Sequence, residues 1–157
     1  MAKLSPAQFK KLFNQTLLQS FREKLAVDID KFRLVGGCTR DLLAAQPVQD
    51  IDLATTLTPD AAIALLASKN IRSLLTGKDF GSITAILAEG SLEITSLRQD
   101  VKTDGRHAEV VFTTEWHEDA IRRDFTINAI YIDFAGNIYD YHHGREDIKN
   151  HIVRFIG

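Results

Sequence analysis

After Ser5-Pro6, a serine N-cap followed by proline at the first helical position, apolar residues Phe9, Leu12, Phe13, Leu17 and Phe21 recur near helical spacing. This pattern predicts one amphipathic helix over residues 6–25. Phe32 to Val35 reads as a short strand running into Gly36-Gly37, and a short helix is expected from about Thr39 to Ala45, ended by Pro47. Asp50 to Ala54 alternates acidic and apolar residues, which is strand period. Thr58-Pro59 opens another helix, with Ala62, Ile63, Leu65 and Leu66 on its apolar face. Ile83–Leu87 and Leu92–Leu97 read as strands joined by the turn Ala88-Glu89-Gly90-Ser91. Residues 98–108 are polar and charged, as in a mobile loop. Glu115–Ala129 has helical character, and Ile130–Phe134 with Asn137–Tyr141 forms a second hairpin around Ala135-Gly136. Helices and strands alternate along the chain, so the class is α/β (α+β) with a mixed sheet.

Composition narrows this only modestly. A chain of 157 residues, 45% hydrophobic and 25% charged, suits one globular domain over residues 1–157 with its own core and no need of disulfides. Cys38 is the sole cysteine and has no internal partner, which fits a reducing cytoplasm. No apolar run approaches the roughly 20 residues of a membrane span, and Met1–Gln8 carries no apolar signal segment, so no membrane partner is expected. The net charge of −2 makes the whole domain a poor magnet for nucleic acid. Any grip on RNA must come from a local patch or from parts outside this chain.

Two dense constellations carry the chemistry. The first is Gly36-Gly37-Cys38-Thr39-Arg40-Asp41, followed by Asp50-Ile51-Asp52. Two glycines between a strand and a helix let backbone N–H groups approach an anion, the helix start adds partial positive charge, and Arg40 offers a fork of donors to phosphate. On its own, a Gly-Gly turn more often serves tight packing. Asp50 and Asp52, two apart in a strand, project from one face. Carboxylates that close repel unless a cation lies between them, and Mg²⁺ bridges such groups to substrate phosphates. A lone Asp-x-Asp is more often a solvated edge. Glu93, in the strand from Leu92 to Leu97, is a candidate third ligand and equally a surface glutamate.

The second constellation is Arg122-Arg123-Asp124-Phe125-Thr126-Ile127-Asn128-Ala129. Arg122, Arg123 and Asn128 offer donors to phosphate and ribose hydroxyls, and Phe125 and Ile127 are expected to anchor the segment. A surface helix with an arginine–aspartate pair reads the same. His107 lies in the polar loop, and His117, His142, His143 and His151 lack metal-ligand spacing. Cys38 reads as a packing residue, and Trp116 has no aromatic stripe beside it in sequence.

Together these residues resemble the class II tRNA nucleotidyltransferase and bacterial poly(A) polymerase family, within the polymerase β superfamily. Leu34-Val35-Gly36-Gly37 through Arg40-Asp41 to Asp50-Ile51-Asp52-Leu53-Ala54 is similar to its first motif, and Arg122 to Ala129 to its second. The resemblance covers roughly residues 31–157. It implies a polymerase β-like head, a mixed sheet of about five strands flanked by helices. It further implies that Asp50 and Asp52 hold catalytic Mg²⁺ or Mn²⁺, with Glu93 as third carboxylate. Gly36, Gly37 and Arg40 would hold the triphosphate; Arg123, Asp124 and Asn128 would recognise ribose. The loop carrying Asp104 and Arg106 would be the family's flexible loop. The implied reaction is two-metal attack of an RNA 3′-hydroxyl on the α-phosphate of CTP or ATP, at the 3′ end of tRNA.

Departures accompany the likeness. Thr39 stands where a valine is common, Ala44-Ala45 where a leucine-glycine is common, and His142-His143-Gly144 where Gly-Gly is frequent. The neck helix that selects bases in the family would begin after Ile156-Gly157. The expectation is therefore a head lacking base selection, completed by a missing C-terminal segment or a second chain that supplies neck and body. A poly(A) polymerase head, or a non-catalytic remnant binding nucleotide or a partner, remains the alternative.

Overall fold

The computed structural model describes residues 2–77, 81–102 and 108–157. The chain opens with α1 (Pro6–Phe13) and α2 (Thr16–Leu25), followed by a 3-10 turn Ala26–Lys31. Ser5 caps α1 reciprocally: its hydroxyl accepts from the Gln8 N–H, and its own N–H donates to Gln8 Oε1. The apolar pattern predicted a single helix here. The break falls at Asn14-Gln15, where Gln15 adopts an extended conformation as the N-cap of α2. Leu12 and Phe13 of α1 and Leu18, Phe21 and Leu25 of α2 all reach the core; on one continuous helix the two sets would face opposite ways, so the break is what lets both pack inward.

Strand β1 (Phe32–Leu34) leads into α3 (Gly37–Leu43), which starts two residues earlier than expected, directly on the glycine pair. Pro47 is not what stops it. Ala45 takes φ 57, and its N–H and that of Gln46 close back on the carbonyls of Leu42 and Asp41, a Schellman ending with alanine in the left-handed position. Strand β2 (Asp52–Thr55) and α4 (Pro59–Ser68, capped by Thr58) follow. Strand β3 (Arg72–Gly77) has no signal in the sequence pattern, since its central residues Leu74 and Leu75 are both half exposed on an edge. Strands β4 (Ser82–Leu87) and β5 (Gly90–Ser96) form the expected hairpin.

The expected loop over 98–108 is structured at both ends. Strands β6 (Arg98–Lys102) and β7 (Ala108–Phe112) pair as an antiparallel ribbon. Asp104, Arg106 and His107 lie outside the described residues. The helix expected over 115–129 is likewise shorter: α5 is Trp116–Ile121, the chain leaves helical geometry after Arg122, and a 3-10 turn forms at Thr126–Asn128. The hairpin β8 (Ile130–Ile132) and β9 (Ile138–Asp140) follows, then α6 (Gly144–Lys149). Asp133 organises that hairpin by accepting from the Ala135 and Asn137 N–H groups and from the Tyr139 hydroxyl.

The described strands form a seven-stranded mixed sheet, larger than the five or so expected, in the order β3-β4-β5-β2-β1-β8-β9. The pair β2–β5, at its centre, is parallel; the other neighbours run antiparallel. Strand alternation sends side chains to two faces. Phe32, Leu34, Leu53, Ile83, Leu92, Ile94, Ile130 and Ile132 pack with α1 to α4 in the main core. Ala54 and Tyr131 point the other way and join Ala120 of α5 in a smaller cluster. Asp52 and Glu93 alternate with the main-core residues, so both carboxylates lie on the α5 face.

Candidate active site

The site is built where the C-terminal end of β1 meets the N-terminal end of β2. The Val35 N–H donates to the Asp52 carbonyl, tying the two strand ends together beside the glycine turn. Gly36 takes φ 82, a conformation that side chains rarely adopt, and a Cβ there would stand 3.9 Å from Asp52 Oδ2. Thr39, the departure from valine, is accommodated by hydrogen bonds from its hydroxyl to the carbonyls of Gly36 and Ile130, which pin α3 to β8. Cys38 is buried, its thiol donates to the Val35 carbonyl, and burial pushes its pKa up to about 11. It is a packing residue, as the sequence suggested, and no nucleophile.

Asp52 and Glu93 are direct partners in the parallel register of β2 and β5. Glu93 accepts from the Thr84 hydroxyl at 3.0 Å, and Thr84 in turn bonds Thr76, so the carboxylate is held from the β4 side. Asp50 precedes the strand and is exposed, so the shared strand that its spacing suggested begins only at Asp52. It remains near: burial, then Glu93, then Asp50 raise the Asp52 pKa, and only Arg123 opposes them. A carboxylate raised by its carboxylate neighbours in this way is the donor chemistry of a hard divalent cation. Among the described residues, no three His, Cys, Asp or Glu side chains are gathered tightly enough to hold an ion by themselves. Such a site would therefore take some of its oxygens from a substrate.

Beside Asp52 lies a polar cavity of about 480 Å³, lined by Gly36, Gly37, Arg40, Arg98, Asp100, Arg122, Arg123, Asp124 and Asn128. It brings the two sequence constellations together. Arg40 Nη1 donates to Asn128 Oδ1 at 3.0 Å, joining α3 to the 3-10 turn. The expected network of Arg123, Asp124 and Asn128 does not form as such. Asp124 is exposed at the rim, Asn128 bonds Arg40, and Arg123 turns to a residue that the sequence reading missed.

That residue is Asp119, a carboxylate only 1% exposed at the base of α5. It accepts from Arg122, from Arg123, from the Tyr131 hydroxyl and from the Arg98 N–H. Burial alone would raise its pKa, but Arg123, Arg122 and the tyrosine outweigh it and hold it below the usual carboxylate range. Helical spacing was the available signal: Asp119 stands three and four residues before Arg122 and Arg123. Trp116, unaccompanied in sequence, gains its aromatic company in space. Its ring meets Tyr131 edge-on, and the Arg33 guanidinium is held between Trp116 and Tyr139, 4.1 and 3.5 Å from the ring centroids.

A family model described as the poly A polymerase head domain matches residues 32–154. Human CCA tRNA nucleotidyltransferase 1, mitochondrial, is 47% identical over 99% of this chain, which spans 36% of that protein. The CCA-adding enzyme of Bacillus stearothermophilus, solved in complex with CTP, aligns with a TM-score of 0.76 and 30% identity, over 98% of this chain and 34% of that one. A tRNA nucleotidyltransferase solved with a primer tRNA and an incoming ATP analog aligns with a TM-score of 0.61 and 27% identity, over 80% of this chain and 35% of that one. This chain thus spans about a third of the length of those proteins. With both motifs converging on one cavity and the match running from β1 past α6, the chain belongs to the poly A polymerase head domain family.

Proposed function

We propose that this chain is the nucleotide-binding head of an RNA nucleotidyltransferase that adds C, A or both to the 3′ end of tRNA. The observation that carries this reading is the pairing of Asp52 with Glu93 beside Gly36, which with Arg40, Arg98, Arg122 and Arg123 lines the cavity. Acid beside base in this way suits a polyphosphate whose α-phosphate lies at the carboxylates and whose remaining charge faces the guanidiniums.

Asp50 and Asp52, with Glu93, would hold Mg²⁺ or Mn²⁺; the ion would lower the pKa of the RNA 3′-hydroxyl and neutralise charge on the phosphates. Gly36, Gly37 and Arg40 would cradle the triphosphate, with Asn128 locking Arg40 in place. Arg123, Asp124 and Asn128 would meet the ribose. No side-chain base is required. The named relatives support CTP, ATP and tRNA as partners. Among the described residues no helix is long and apolar enough to cross a membrane, and the single buried thiol suits a reducing compartment such as the cytoplasm.

The test is direct. The chain is titrated with CTP and ATP with and without Mg²⁺, then given labelled triphosphate and a tRNA lacking its 3′ end. Metal-dependent binding that Asp52→Ala abolishes supports the reading. Equal binding by the Asp50→Ala, Asp52→Ala double variant removes its basis. Long runs of A on any RNA would mark a poly(A) polymerase instead.

A further inference from the structure

Asp119 does not line the cavity; it lies behind the wall that the arginines form. Its two oxygens divide the work. Oδ1 accepts from Arg122 Nε at 3.1 Å and from the Arg98 N–H at 3.1 Å. Oδ2 accepts from Arg123 Nε at 3.2 Å and Nη2 at 3.0 Å, and from the Tyr131 hydroxyl. Both guanidiniums are thus gripped along the Nε–Nη2 edge. That leaves the Nη1 end of each, on a residue lining the cavity, for an outside partner. The Tyr131 hydroxyl also accepts from Arg123 Nε, so the phenol braces the same guanidinium. The Arg98 bond fixes the first residue of the β6–β7 ribbon, which brings Arg98 and Asp100 to the opposite wall.

One buried carboxylate therefore sets the aim of two arginines and the position of a third. A single negative charge does not neutralise Arg122 and Arg123 together. The surplus positive charge faces the cavity. A nucleoside monophosphate brings too few oxygens to use it; a triphosphate brings enough.

We propose that Asp119, braced by Tyr131, is a positioning residue that orients Arg122 and Arg123 toward the β- and γ-phosphates of the incoming nucleotide. This rests on the nucleotide reading above. It gives the second motif a phosphate-holding part in addition to the ribose contact expected for it.

The test compares triphosphate with monophosphate. CTP and CMP are titrated with Mg²⁺ into wild type, Asp119→Asn and Tyr131→Phe, with circular dichroism and melting to report folding. A charge-assisted hydrogen bond corresponds to about 10- to 100-fold in affinity. Asp119→Asn is expected to lose CTP affinity on that scale while CMP affinity falls less than about 3-fold. Tyr131→Phe, which removes only a hydroxyl, is expected to lose about 3- to 10-fold for CTP alone. A merely structural role would lower both ligands together, and that result overturns the proposal. So does a folded Asp119→Asn that binds CTP like wild type. If Asp119→Asn does not fold, an unchanged CTP-to-CMP ratio in Tyr131→Phe overturns it. Wild type that binds no triphosphate removes the nucleotide reading itself, and this role with it.

Discussion

Gly144→Ala is the substitution for which the fold predicts the largest loss from the smallest change. Gly144 opens α6 and lies against the 3-10 turn that carries Asn128. A Cβ at this position would come within 2.2 Å of the Thr126 carbonyl oxygen, 2.8 Å of its carbon and 3.0 Å of Ile130 Cδ1. Two of those atoms are backbone and main core, so no flexible side-chain end can yield. Ordinary C···O contacts are about 3.3 Å or more, so α6 must retreat by about 1 Å. That retreat stretches the 2.6 Å bond from the Thr126 hydroxyl to Asp147 and the 2.8 Å bond from the Gly144 N–H to Asp140. Overpacking costs about 1–3 kcal/mol and weakening a hydrogen bond to a charged group about 1.5–3, so the sum is about 2.5–6 kcal/mol. At about 2–4 °C per kcal/mol for a chain of this size, the melting midpoint should fall by about 10 °C. Calorimetry or thermal circular dichroism measures it. A midpoint within about 2 °C of wild type would refute the packing argument. Because the displaced turn holds Asn128 against Arg40, triphosphate affinity should fall as well.

Gly37→Ala should do the reverse: its Cβ meets only the side-chain end of Arg40, at 3.3 Å, rather than backbone, so the melting midpoint should change little while triphosphate binding weakens. Ala45→Gly should stabilise by about 0.5–1 kcal/mol, read from denaturant midpoints, because it relieves an alanine held at φ 57. Asp119 and Asp147 both have lowered pKa values in the folded protein, Asp147 chiefly through the Thr126 hydroxyl. Their contribution is complete above the unfolded carboxylate value of about 3.9 and is lost as pH falls through the lower folded values. Melting midpoints should thus decline steeply below about pH 4, and less steeply in Asp147→Asn. ATP, CTP, GTP and UTP should bind this chain with similar affinity in parallel titrations, since the guanidiniums and glycine N–H groups of the cavity address phosphate rather than base edges.

The β4–β5 hairpin was legible because Ile83, Ala85 and Leu87 face Leu92 and Ile94 across one core, and the β8–β9 hairpin from its turn at Ala135-Gly136. The glycine pair and the Asp-x-Asp spacing marked one half of the site, and the Arg122–Asn128 segment the other. What sequence could not give was anything set by partners distant along the chain. Glu93 was ambiguous until the parallel register put it opposite Asp52. Asp119 reads as one more surface acid of a helix because its burial comes from Tyr131 and Arg98, which lie outside α5. The Asn14-Gln15 break is followed by two adjacent leucines, so a helical pattern continued through Leu17 runs past it, whereas the fold buries Leu18. In the Arg122–Asn128 segment, the backbone leaves the helix to exchange hydrogen bonds with residues near 154–156, a pairing that no local propensity encodes.

The parallel pairing of β2 with β5 also bears on the order in which the protein acquires its chemistry. Asp52 and Glu93 meet only after the intervening α4, β3 and β4 have been laid down, and Arg98, Arg122 and Arg123 arrive later still, with β6 and the end of α5. Closing so long a loop costs entropy before any contact rewards it, so the central pair should form late in folding. During synthesis, a ribosome-bound chain that has emerged only as far as β4 would display the glycine turn and Asp52 with no Glu93 beside them and, of the cavity arginines, Arg40 alone. Nucleotide could then neither bind nor assist folding until α6 is out and Asp147 has secured the turn bearing Asn128. The site comes into being in one late step, and ligand can reward only a chain that has already paired its centre.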